Sequence, residues 1–134
     1  MRPTRVAERA LLAALLAGCG REAPSEGPGS PREALAEFAR CVFDGVSPDA
    51  SPARVEAATR LALRMNRGDF AVRAGRCEDA LRVRGEVPAC LAPLRTRWSG
   101  MLPVIQRPGV DAIDLDVAVR RVGEAWTLAQ RCPR

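Results

Sequence analysis

Cysteine and aspartate are the side chains through which this 134-residue chain could do chemistry, because it contains neither histidine nor tyrosine. Without imidazole there is no Ser-His-Asp or Cys-His nucleophile arrangement and no histidine-containing metal site. The cysteines are Cys19, Cys41, Cys77, Cys90 and Cys132. No two of them have the C-x2-C or C-x4-C spacing of a zinc site or a dithiol redox centre, so neither is expected. Asp111, Asp114 and Asp116 form the one acidic cluster. On a strand, Asp114 and Asp116 would share a face about 7 Å apart, a spacing open to paired carboxylates or a weak Ca²⁺ site. The glycine turn of a calcium loop is missing, and Arg120 and Arg131 stand nearby, so outer-strand surface charges are the plainer reading. No catalytic residue, metal ligand or cofactor is assigned.

Cys19 has a different setting. A basic start containing Arg2 and Arg5 is followed by the uninterrupted apolar run Ala10-Leu11-Leu12-Ala13-Ala14-Leu15-Leu16-Ala17, then Gly18 and Cys19. A helix of that length spans only about 15 Å, half of a hydrocarbon core of about 30 Å, so the run reads as an export signal and not a membrane span. Leu16-Ala17-Gly18-Cys19 resembles the lipobox of bacterial lipoprotein precursors. The resemblance implies cleavage between Gly18 and Cys19, lipidation of the Cys19 sulfur, and a partner that is membrane lipid. Gly20, where Asp would signal inner-membrane retention in that family, implies an outer-membrane anchor facing the periplasm. The expected organisation is a signal peptide over 1–18, a lipidated cysteine and flexible linker over 19–30, and one small domain over 31–134. The linker Gly20–Ser30 is rich in Gly, Pro, Ser and Glu and has no apolar period.

All 21 basic residues are arginine. Beyond residue 18 the net charge is +3, too mild for the dense basic patch that nucleic-acid binding needs. A lipid surface and an envelope protein remain as expected partners; nucleic acid does not.

Within the body, Ser30-Pro31-Arg32-Glu33 has the form of a capping box with proline at the first helical position. The spacing predicts a helix with Leu35, Phe38, Cys41 and Val42 facing inward and a stop at Gly45. Ser51-Pro52 predicts a second helix with Val55, Ala58, Ala62 and Met65 as its buried stripe, Leu61 beside it, and a stop at Gly68. Arg60, Arg64 and Arg67 form a row on another face, with Glu56 placed to pair with Arg60; a solvated surface or a lipid-headgroup contact both fit. Residues 69–87 are ambiguous, with a short helix over 77–85 favoured over an edge strand. Leu91, Leu94, Trp98 and Met101 predict a further helix, bent in its first turns by Pro93.

The carboxy-terminal third changes period. Ile113, Leu115, Val117 and Val119 alternate with polar positions, and Gly123-Glu124 before Trp126-Thr127-Leu128-Ala129 predicts a β-hairpin. Its register pairs Val119 with Leu128 and Asp116 with Arg131. The expected class is α+β: amino-terminal helices packed on a small antiparallel sheet ending in a C-terminal β-hairpin, with two disulfides. Four cysteines beyond Cys19 allow three pairings. Cys77 with Cys90 and Cys41 with Cys132 is the favoured one, since it ties the first helix to the last strand.

The V-x-V-R-R-x-G-x-x-W pattern at Val117–Trp126 resembles SnoaL-like cone-shaped domains. That resemblance covers about 20 residues and implies a small-ligand pocket between helices and sheet; Trp98 and Trp126 could line a pocket, although both sit on stripes that read as core. The leading functional expectation is a membrane-anchored extracytoplasmic lipoprotein acting as a non-enzymatic interaction or structural module. A small-ligand-binding domain is the alternative, and a carboxylate-based enzyme the third.

Overall fold

The computed structural model describes residues 28–133, which form four helices: α1 Pro31–Val42, α2 Pro52–Cys77, α3 Ala92–Gln106 and α4 Ala112–Ala129. The expected helix starts are present, and for the expected reason. Ser30 and Ser51 accept hydrogen bonds from the backbone N–H groups of Glu33 and Arg54, three residues on, and a proline follows each cap. The Glu33 carboxylate reaches back to the Gly29 N–H at 2.8 Å, one residue before the position a standard capping box uses. Pro93 lies in the first turn of α3, where its missing N–H breaks no helical bond, so it starts the helix instead of bending it.

The α+β expectation is overturned. Among the described residues there is no strand and no sheet, only an isolated bridge between Val83 and Glu86 around the left-handed Arg84-Gly85 turn. The segment expected to be a hairpin is helix α4. Its buried residues Val119, Val122, Trp126 and Ala129 recur at three and four, whereas the alternating set leaves Ile113 71% exposed. Gly123 makes no turn. A Cβ there would lie 2.2 Å from Oε2 of Glu56, so the glycine lets α4 approach α2 closely. The expected pairs Val119–Leu128 and Asp116–Arg131 have no sheet to hold them, and the cone-shaped SnoaL-like architecture goes with it.

Helix α2 runs past its expected stop. Asn66 leaves helical geometry (φ −162°, ψ 92°), and its side chain caps a restart: Oδ1 accepts from the Asp69 N–H at 3.1 Å. The helix continues to Cys77, with a 3₁₀ turn at Glu78–Leu81, which settles the ambiguous region as mostly helical. In its first half the core takes Val55, Thr59 and Leu63, a stripe rotated from the expected one. Thr59 is buried but satisfied, its hydroxyl donating to the Val55 carbonyl at 2.8 Å.

The core is centred on Trp98 of α3. All three phenylalanines of the chain, Phe38, Phe43 and Phe70, meet it edge-on with ring centroids 4.8, 6.2 and 6.1 Å away. Its indole N–H donates to the Ala74 carbonyl at 2.9 Å. Trp126 of α4 is equally buried and donates to the Ala50 carbonyl at 3.0 Å. Gln130 binds the carbonyls of Pro48 and Ala50, and Arg32 bonds Asp49 and the Gln130 carbonyl. The α1–α2 connection is thereby pinned to the end of α4.

Candidate functional site

Gly18 and Cys19, the expected cleavage and lipidation residues, lie outside the described residues, as does most of the 19–30 linker. The other four cysteines are bonded in two disulfides, Cys41–Cys77 and Cys90–Cys132, with Cα separations of 5.7 and 5.4 Å. The favoured pairing of Cys77 with Cys90 and Cys41 with Cys132 is therefore wrong. Continuation of α2 beyond Gly68 carries Cys77 back to the end of α1, and a helical α4 returns Cys132 to the start of α3. Cys132 is buried as expected; Cys41 instead sits on the exposed edge of α1, with buried Cys77 on its inner side. In the chain-entropy model, closures of 36 and 42 residues each contribute about 4 kcal/mol.

The aspartate cluster does not converge on a common site. Asp111 caps α4, accepting from the Ile113 N–H at 2.7 Å. Asp114 is paired with Arg107 at 3.6 Å. Asp116 accepts from Arg60 at 2.6 Å and from Arg120, one turn along α4, at 2.9 Å. The Arg60 guanidinium first, then that of Arg120, holds the Asp116 carboxyl below the usual aspartate range. Arg60 also reaches Glu56 at 3.4 Å, the intrahelical pair expected from the spacing, so this carboxylate and guanidinium group is internally neutralised and links α2 to α4. No group of three or more metal-ligating side chains occurs among the described residues, and none of their helices is long and apolar enough to cross a membrane.

Two open grooves flank the first half of α2. One, of about 600 Å³, has Val42, Phe43 and Phe70 beneath Leu61 and Met65 and is bordered by Arg54, Arg64 and Arg73. The other, of about 380 Å³, lies between Leu63 and Arg67 of α2 and Leu115 and Val119 of α4. Neither is lined by Trp98 or Trp126, both of which are committed to the core. Leu61 and Met65 were expected to be buried or beside the buried stripe, yet they are 50% and 76% exposed. A helix apolar on two sides at once was the available signal: Val55, Ala58, Leu61, Ala62, Leu63 and Met65 exceed what one stripe can hold.

Compared with known proteins, the chain matches no family model, and no curated protein or solved structure matches it significantly.

Proposed function

We propose that the chain is a lipoprotein of the cell envelope, held outside the cytoplasm by acyl groups on Cys19, whose helical body is a non-enzymatic interaction or structural module. The observation that carries this reading is Leu16-Ala17-Gly18-Cys19 directly behind the apolar run Ala10–Ala17. Small residues let the peptidase draw the backbone close, and the thiol is the nucleophile that accepts a diacylglyceryl group. Each buried CH₂ contributes about 0.8 kcal/mol, so two or more chains anchor stably where one binds reversibly.

Two disulfides support an oxidising compartment outside the cytoplasm. An interaction module is supported by a core filled with its own tryptophans and by Asp111, Asp114 and Asp116, each of which holds a cap or an arginine. Gly20 in place of Asp favours the outer membrane, facing the periplasm. The partners proposed are membrane lipid through Cys19 and a protein of the envelope, with no nucleic acid.

Intact mass measurement of the protein recovered from membranes is expected to show a chain that begins at Cys19 and carries acyl groups. A Cys19→Ser chain is expected to leave the membrane fraction. An unmodified chain beginning at Met1, or membrane retention of Cys19→Ser, would overturn the proposal.

A further inference from the structure

The first half of α2 carries more apolar surface than the core consumes. Val55, Thr59 and Leu63 point inward, while Leu61 and Met65 stand on the adjoining face at the mouth of the groove over Phe43 and Phe70. Arginine surrounds them. Arg54, Arg64 and Arg73 border this groove, and Arg67 borders the neighbouring one beside Arg64. The carboxylates lining the two grooves with these four arginines are Asp44 and Asp69 in the larger and Asp116 in the smaller, and Asp69 is already engaged by the Asn66 side-chain amide at 2.9 Å. Asp116 is neutralised there by Arg60, which lines the same groove. The face is thus apolar at its crest and cationic around it.

We infer that this face of α2 rests on an anionic phospholipid surface, with Leu61 and Met65 entering the interface and Arg54, Arg64 and Arg67 meeting the headgroups. Apolar side chains ringed by arginine have the composition of an interfacial contact, in which apolar burial and attraction to anionic lipid add. A second copy of the chain fits poorly, because a twofold contact would set the same cationic excess against itself. The inference rests on the lipoprotein proposal, which keeps the body close to a bilayer, and chain length permits it. The body begins at the Ser30 cap of α1, and the groove lies at the other end of that 12-residue helix, about 18 Å away. Gly20–Ser30, 11 residues, reaches about 35 Å at full extension, so a body anchored at Cys19 can lay this face on the same bilayer. Once anchored, even a weak face suffices, because the second contact is intramolecular.

The test uses the chain from residue 19 onward with Cys19→Ser, which keeps the whole core and both disulfides but bears no acyl group. It is floated with vesicles of phosphatidylcholine alone or of phosphatidylcholine mixed with phosphatidylglycerol. Partitioning is expected to be at least about tenfold stronger on the mixed vesicles and to fall as salt is raised. Arg64→Gln should weaken it about fivefold, and Leu61→Ser with Met65→Ser should weaken it more, with helix content unchanged by circular dichroism because these side chains are exposed. Equal partitioning on both vesicle types, variants that bind as well as the parent, or a dimer in sedimentation that the same substitutions dissolve would overturn the inference. Failure here leaves acylation of Cys19 untouched, whereas an unmodified Cys19 in cells would defeat the proposed function whatever the vesicles show.

Discussion

The two halves of α2, on either side of Asn66, are built from similar residues and used differently. After the break, Phe70, Ala71, Ala74 and Cys77 are all buried, and this half is clamped by the Trp98 indole and by the bridge to Cys41. Before it, only Val55, Thr59 and Leu63 are buried, and Leu61 and Met65 are left outside. Stability therefore resides mainly in the second half, where Val72 is the one large apolar side chain left exposed, and most of the spare apolar surface of α2 lies in the first. The largest expected effect tests that division. Trp98→Ala should cost about 5 kcal/mol in urea unfolding, since it empties the site on which three phenylalanines converge. Leu61→Ser with Met65→Ser should stay within about 0.5 kcal/mol of the parent. Equal losses for the two would mean that both halves belong to one core.

Next in size is the bridge at the end of the packed half. Replacing Cys41 and Cys77 together by serine should lower stability by about 4 kcal/mol, and peptide mapping of the parent without reduction should recover Cys41 joined to Cys77 and Cys90 to Cys132. A peptide linking Cys77 to Cys90 would refute the helical course of residues 69–77.

The exposed half touches α4 at Gly123, and there the sign of an effect can be inverted. Gly123→Ala should destabilise by about 1 kcal/mol, because the new methyl meets the side chain of Glu56, whose carboxylate is held by Arg60. In a Glu56→Ala background the same substitution should stabilise by about 1 kcal/mol, as alanine replaces glycine in a helix interior. A double-mutant cycle without coupling would show that the close approach of the two helices does not depend on that contact.

What was legible in the sequence was local. Ser30-Pro31 and Ser51-Pro52 start helices through bonds that span three residues, and Leu94, Trp98 and Met101 share a face through periodicity alone. The failures are non-local. Gly123 looks like a turn until Glu56, far away in sequence, is seen against it. Alternation over Ile113–Val119 mimicked a strand because the start of α4 is only partly covered, while the run Val119, Val122, Trp126, Ala129 already had helical spacing. Asp111, Asp114 and Asp116 are close in sequence only: the first caps α4, the second pairs with Arg107, and the third with Arg60 and Arg120. Disulfide pairing depended on those same helix lengths, so it failed with them. The apolar excess on α2 was visible, but which part of it faces outward is decided by how α1, α3 and α4 pack against it.

The smallest expected effect concerns the ion group that joins the exposed half of α2 to α4. Asp116 has its carboxyl held below the usual aspartate range by Arg60 and then Arg120, so as pH falls the unfolded chain takes up this proton before the folded one does. The contribution of the group is complete above the unfolded aspartate value of about 4 and is lost as pH falls through the lower folded value. Asp116→Asn should therefore leave a shallower acid limb in a plot of stability against pH, with its deficit relative to the parent largest near neutrality and shrinking in acid. Because the group is exposed, added salt should shrink the deficit too. Parallel acid limbs for parent and variant would mean that α4 is held against the first half of α2 by Val119, Val122 and the Gly123 contact alone, and that its charges only decorate the seam.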